Sequence, residues 1–549
     1  MAATHHPLDI SELRIHIATF LDSTDHKACM LVCKAWYMDL LPVLWGRSTF
    51  YAGKFMDCAP EDRPVRLEVL RTCAPWIKDL FLHYHGIAVT HDLRTSLMDA
   101  VVQGCRSLEV VSLPLHLKAG HAALYRSAIG MLELNATTLQ RVTLLISRSP
   151  LNDGITIPDL ALHRTLSTFP HLRYLELDCC ILIKDVILIL ESCTKLETLA
   201  LARHRKTLYS ERSPSPSNVV MDNAEGDRYR QWLSTLSTLS LRHLHIGAAC
   251  IDWDLGTLLA RCRLLESLYL TAIYDQAIPM VKEALQGSRC FPLLTRFGFN
   301  IGNMPDFQRH LVIQSFPPQQ LREAYLYLFS KTDIHLMVKQ QHETLETITC
   351  HSFSDRTGLA IARILHDCKR LRKLTFNAGR LNSFVDIRRS LAQPWRCPLL
   401  EEMDVPFELD TRCTDPYTLQ MGSAEKRAVA PGQDEKEQAE ILFMKRLGAQ
   451  SHLKRLRLYS GFDRDRKRTY MQWSLATGVE HLAGLSRLER LDFDHQVLPL
   501  GVTELQFLKG HWVSLKELQC GSIHLPEIRR WLNQEWPELR VITLHEYSY

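Results

Sequence analysis

The sequence lacks any run of about 18 uncharged apolar residues, the length a membrane-crossing helix needs, so no spanning segment is expected. Its first residues, Met-Ala-Ala-Thr-His-His-Pro-Leu-Asp, hold no basic stretch followed by an apolar core, so no secretory signal is expected either. An excess of one charge is also missing: 65 Lys and Arg face 61 Asp and Glu, a net of +4 over 549 residues. Near neutrality of that kind gives no reason to expect nucleic acid or an anionic membrane as the main partner. Phosphate loops of the Gly-x-x-x-x-Gly-Lys type, Gly-x-Gly-x-x-Gly after a strand and Gly-x-Ser-x-Gly elbows are all absent. No Ser/His/Asp or Cys/His set assembles, so neither an enzyme nor a cofactor is expected. His5 and His6 with Cys29 and Cys33 are not read as a zinc set, because the two cysteines fall i, i+4 on an expected helix; no metal is expected.

What is present is an ordinary folded composition, 46% hydrophobic and 23% charged. Sixteen cysteines without an export signal read as reduced thiols of the cytosol or nucleus. Buried, they act as small hydrophobes. The length exceeds one ordinary core, a limit that does not bind a repeat array, where each unit packs only on its neighbours.

In the first fifty residues, Asp9 and Glu12 have the spacing of a reciprocal helix cap. Leu13, Ile17, Phe20 and Leu21 follow at i, i+4, i+7 and i+8, which makes one apolar helix face. After the polar break Asp22 to Asp25, a second helix is expected to align Ala28, Val32, Trp36 and Leu40, with Leu31, Ala35 and Met38 beside them. Pro42 is expected to interrupt it, and Leu44-Trp45 to close the unit. Three short helices bury too little surface to stand alone, so surplus apolar side chains here point to docking.

The order Glu12-Leu13, Ile17, Phe20-Leu21, Val32-Cys33-Lys34-Ala35-Trp36 and Leu44-Trp45 resembles the F-box motif. The departures are Asp9-Ile10 where that family has Leu-Pro, and His26 after Asp25 where leucine is usual. The resemblance implies a three-helix F-box over 1–50 that docks the Skp-type adaptor of a cullin-RING (SCF-type) ubiquitin ligase. Carried over position by position, it names Leu13, Ile17, Phe20, Leu21, Val32, Cys33, Trp36, Leu44 and Trp45 as adaptor-binding.

The rest of the chain repeats Leu-x-x-Leu-x-Leu. Clear copies begin at Leu172, Leu196, Leu265, Leu371, Leu488 and Leu515. Weaker ones begin at Ile77, Leu108, Leu139, Leu241, Leu294, Leu321, Leu345, Leu400, Leu453 and Leu539. In a strand alternate side chains point inward, so the last two apolar positions of each copy enter the core. Cysteine stands three places before the first leucine at Cys105, Cys193, Cys262, Cys368 and Cys397, and proline two places before it at Pro75, Pro170, Pro292, Pro398 and Pro537. Helical stretches such as Ile183 to Glu191 lie between copies. The spacing resembles the cysteine-containing class of leucine-rich repeats. It implies an α/β fold: a curved solenoid with a parallel concave sheet and convex helices.

The expected organisation is therefore an F-box over 1–50, a connector with a first irregular repeat over 51–104, and the array over 105–549. Polar insertions near 205–230, with Ser-Pro pairs, and 410–440 are expected to be loops ejected from the array. After the strand ending at Leu201 comes the basic cluster Arg203, His204, Arg205 and Lys206, a candidate site for an acidic or phosphorylated target segment. The expected function is the substrate-recognition subunit of an SCF-type ligase, holding a target protein on its repeats. The alternative is a ligase-independent repeat scaffold whose N-terminal helices only cap the array.

Overall fold

The computed structural model describes residues 11–18, 20–21, 23–47, 50–51, 58–82, 91–117, 122–148, 162–178, 183–201, 231, 239–247, 255–271, 278–286, 291–300, 306–327, 329–351, 358–377, 385–405, 407–408, 433–458, 473–493, 500–521, 523 and 525–543. They fall into two compact units, Met1–Leu265 and Glu266–Tyr549.

The first unit opens with helices α1 (Ser11–Ala18), α2 (Ser23–Met30) and α3 (Lys34–Arg47). Strands follow: β1 (Phe50–Tyr51), β2 (Asp79–Phe81), β3 (Val110–Leu117), β4 (Arg141–Arg148), β5 (Tyr174–Asp178), β6 (Thr198–Leu201) and β7 (His243–Ile246). Each pairs in parallel with the next. A parallel neighbour needs a crossover, and helices such as Arg63–Cys73, His91–Gly104, Ala122–Leu134 and Ile183–Ser192 supply it.

The second unit repeats the scheme with β8 (Ser267–Thr271), β9 (Arg296–Asn300), β10 (Glu323–Tyr327), β11 (Thr347–His351) and β12 (Lys373–Asn377). The ladder continues through β14 (Glu402–Val405), β16 (Arg455–Leu458), β17 (Arg490–Asp492), β18 (Glu517–Cys520) and β19 (Arg540–Thr543), again all parallel. A separate two-stranded pair joins β13 (Val385–Asp386) to β15 (Phe407–Glu408).

The register follows the leucines. Leu80, Val111, Val142, Leu175, Leu199 and Leu244 stand opposite one another across the first sheet. In the second, Leu268, Phe297, Ala324, Ile348, Leu374, Met403, Leu456, Leu491, Leu518 and Val541 do the same. Every copy of the pattern leads a strand, including the faint ones at Ile77 and Leu139, and the first apolar residue of each is buried. Each such side chain is worth roughly 1.5–3 kcal/mol when removed from water. Alternation of strand and helix, with apolar residues at the same three inward places, is the leucine-rich-repeat fold.

Two features depart from expectation. β1 carries no leucine pattern, yet Phe50 pairs with Leu80 and extends the first sheet by one strand. The insertion expected to run to 440 ends sooner, because Gln433–Gly448 is a helix. Its first half is polar enough to read as a loop, but Glu440, Phe443, Met444 and Leu447 are buried and hold it in the array.

The cysteines before the leucines are buried, and desolvation pushes the thiols of Cys105, Cys262 and Cys397 up to about 12 and that of Cys193 up to about 11. Cys193 Sγ donates to Leu166 O at 3.3 Å, in the helix of the preceding repeat, and Cys262 Sγ to Leu258 O at 3.3 Å, in the helix that leads into it. A raised thiol pKa means that the unfolded chain loses these protons first. The contribution of these thiols is therefore whole below about pH 9 and is lost as pH climbs from there toward 11 to 12. Urea denaturation midpoints at pH 8 and pH 10.5 check this, and a higher midpoint at pH 10.5 would contradict it.

Where cysteine is missing, an amide does related work. Asn135 Oδ1 accepts from Leu108 N at 2.9 Å while its Nδ2 donates to Met131 O and Cys105 O. Gln341 Oε1 likewise accepts from Gln320 N and Leu321 N at 2.8 and 3.0 Å, and its Nε2 donates to Pro317 O. Each fully buried amide satisfies backbone groups of the preceding repeat that would otherwise be left without a partner.

Candidate docking site

The first and third N-terminal helices are linked by a part-buried ion pair that sequence reading missed. Arg14 Nε donates to Asp39 Oδ2 at 2.5 Å, and Ser11 Oγ donates to Asp39 Oδ1 at 2.9 Å, which ties α1 to α3. His26, at the place where the F-box motif has leucine, is buried and its Nε2 lies 2.7 Å from Ala18 O, closing the C-terminal end of α1. An imidazole here occupies the apolar place and also satisfies a terminal carbonyl.

The expected single helix carrying Ala28 to Leu40 is two helices. Leu31 N and Val32 N bond three residues back, to Ala28 O and Cys29 O, and this tightened turn ends α2. Cys33 O then accepts from Tyr37 N as α3 begins, so Cys29 and Cys33 do not share a helix. α3 also runs through Pro42, where an interruption was expected. Leu40 and Leu41 beside it are buried, and their burial offsets the lost backbone bond.

Apolar side chains at the break and elsewhere in this unit face solvent. Phe20 is 78% exposed, Leu31 88%, Val32 69% and Met38 53%. Of the twenty large hydrophobic side chains exposed among the described residues, seven lie within 11–47, while the other thirteen are spread along the rest. Single exposed hydrophobes are normal, and seven of them within one short helical unit is a local excess. Of the motif residues, Leu13, Phe20, Val32 and Cys33 are exposed and Ile17, Leu21 and Trp36 are half-buried. Leu44 and Trp45 differ: both are half-buried, and the Trp45 ring lies 5.9 Å from that of Phe50, so they also join α3 to the first strand. Asp9 and the basic cluster Arg203, His204, Arg205 and Lys206 lie outside the described residues.

A second surface runs along the starts of the strands in the second unit. From Arg322 through Glu346, Arg372, Glu401, Lys454, Glu489 and Lys516, the residue after each leading leucine alternates in sign. The contacts include Arg372–Glu401 at 2.8 Å, Lys454–Glu401 at 2.6 Å and Lys516–Glu489 at 3.6 Å. The hydrogen bond from Lys454 is the main cause holding the Glu401 carboxyl below its usual range. Over β8 to β11 aromatic side chains join the charged ones. Tyr269 and Tyr325 flank Gly298 in register, 5.4 Å apart by ring centroid, and Tyr327 stacks on His351 at 4.2 Å. A Cβ on Gly298 would lie 2.0 Å from Tyr269 Cδ1. Gly298→Ala must therefore expel that ring, with an expected loss of about 1–3 kcal/mol in urea denaturation; an unchanged midpoint would refute the close approach.

Among the described residues no group of three or more His, Cys, Asp or Glu is placed to hold a metal. No helix there is long and apolar enough to cross a membrane. No family model matches the chain, and no curated protein matches it. Among solved structures it is similar to a chain of the crystal structure of the Rad7 and Elc1 complex in yeast, at 13% identity and a TM-score of 0.38, covering 78% of this chain and 88% of that one. It is also similar to a chain of the TLR13–ssRNA13 complex, at 13% identity and a TM-score of 0.32, covering 88% of this chain and 60% of that one.

Proposed function

We propose that the chain is the substrate-recognition subunit of an SCF-type ubiquitin ligase of the cytosol or nucleus. The observation that carries this reading is the concentration of exposed apolar side chains, Phe20, Leu31, Val32 and Met38, within a three-helix unit that bears the F-box order of residues. Leu13, Ile17, Phe20, Leu21, Val32, Cys33 and Trp36 would form the adaptor contact, with Leu44 and Trp45 supporting it from the array side. The repeats would hold a target protein within reach of a ubiquitin-loaded conjugating enzyme. Catalysis of this sort is a gain in effective concentration, and the chain would supply no reacting group.

A ligase-independent scaffold is favoured by a different observation. α3 packs toward the first repeat and β1 extends the sheet, so the helices also cap the array. Co-expression of the full chain with a Skp-type adaptor separates the two readings. The ligase subunit co-purifies in a stoichiometric complex that assembles with a cullin, whereas a scaffold remains alone.

A further inference from the structure

In the second unit, helices Lys331–Gln341 and Gly358–Asp367 lie side by side. A concavity of about 350 Å3 is lined by Lys339, His342, Arg363, His366, Asp367, Lys369 and Arg396, residues of three successive repeats. Basic residues near helix C-termini commonly just complement the helix dipole. This set goes further. Four permanent cations and two histidines face one carboxylate within the lining, with Glu343 just outside it at 4.0 Å from His342, and no apolar side chain lines the space.

The interior of the site is preorganised. Arg363 Nε donates to Asp367 Oδ2 at 2.9 Å and its Nη1 donates to His335 Nδ1 at 3.0 Å, which fixes the guanidinium plane. His366 Nδ1 donates to Pro394 O at 2.9 Å, which fixes that ring. Lys339, Lys369 and Arg396, by contrast, are exposed and have no carboxylate within 4 Å among the described residues. Their charge is uncompensated, unlike that along the strand starts of the same unit, where neighbouring repeats neutralise one another.

We propose that this concavity binds a phosphorylated segment of a partner protein. A phosphoryl group brings close to two negative charges and three acceptor oxygens, matched by a fixed guanidinium flanked by free cations. The half-buried Arg363, His366 and Asp367 form the floor and the exposed cations the rim, so an extended chain can cross with one phosphorylated side chain inserted. Nucleic acid would call for several open stacking rings beside the cations, whereas the lining offers the imidazoles of His342 and His366, each already hydrogen-bonded to the protein; a lipid headgroup would call for apolar side chains at the rim, and none lines the space. As a target-recognition site the proposal rests on the ligase reading above; as an anion site it stands by itself.

The test uses the full chain and two fluorescent peptide libraries, degenerate around a fixed phosphoserine or around a fixed serine. Binding is read by anisotropy, and adaptor capture is measured in parallel. The phosphoserine library should bind at least about tenfold more tightly, a gap of one charge-assisted contact or more. The variant K339E/K369E/R396E, whose changes are all on exposed side chains, should lose that preference while adaptor capture is unchanged. Equal binding of the two libraries, or a preference that survives in the variant, overturns the proposal. So does displacement of the phosphopeptide by single-stranded RNA or phosphoinositide vesicles at lower concentration than by the unlabelled phosphopeptide. Loss of adaptor capture in the wild type, with the phosphopeptide preference intact, would sink the ligase reading and leave this site standing.

Discussion

Phe20→Asp combined with Val32→Asp is expected to abolish co-purification of the Skp-type adaptor and leave the repeats folded. Both side chains face solvent, 78% and 69% exposed, so the free chain gives up little packing when they change. In the complex each would be buried, for roughly 1.5–3 kcal/mol apiece. The new carboxylates would add the cost of desolvating unpaired charge. The expected weakening is therefore at least about a hundredfold, enough to clear the adaptor from a pulldown. A melting transition matching the wild type verifies the fold. A double variant that melts normally and still captures the adaptor would rule out this surface.

Asp333→Ala is expected to be the most damaging single change in the second unit. The carboxylate is wholly buried, and one of its oxygens receives Arg309 Nε at 2.8 Å, Ser330 N at 2.7 Å and Ser330 Oγ at 2.7 Å. His310 Nε2 lies 3.0 Å from the other oxygen but is poorly aligned for a hydrogen bond. Asp333 thus completes the capping box of its own helix and holds a cation from the helix before it. Truncation strands the nearly buried guanidinium of Arg309, and breaking such a pair costs about 3–5 kcal/mol. Guanidinium titration should show that loss, and the double variant Arg309→Met/Asp333→Leu should recover much of it. A loss under about 1 kcal/mol in the single variant would mean that the pair is not a structural link.

The strands were legible because a short parallel strand leaves few solutions. Its inward side chains must be apolar at alternate places, and Leu268, Leu270, Leu374 and Phe376 meet that demand openly. β1 was not legible, since two residues, Phe50 and Tyr51, have no period to read. The break at Leu31 to Cys33 was hidden because the apolar spacing on either side happens to continue one helical stripe. Gln433 to Glu440 was hidden for the opposite reason: a helix with one buried carboxylate and few apolar residues has the composition of a loop. Long-range polar links defeat sequence reading most fully. Nothing local couples Arg14 to Asp39, or Arg309 to Asp333, or gathers Lys339, Arg363 and Arg396 around one space.

The alternating charges at the strand starts of the second unit set a grammar for changes of length. Glu346 stands between Arg322 and Arg372, 3.8 and 4.0 Å away, and Arg372 between Glu346 and Glu401. Excising the repeat that carries Glu346 would set two arginines shoulder to shoulder, and duplicating it would do the same with two carboxylates. Like charges directly opposite on adjacent strands disfavour pairing by a few tenths of a kcal/mol to about 1 kcal/mol. Excising or duplicating two repeats together keeps the signs in step. Along this stretch the array would thus lengthen and shorten more readily by even numbers, although every repeat is a complete structural unit by itself.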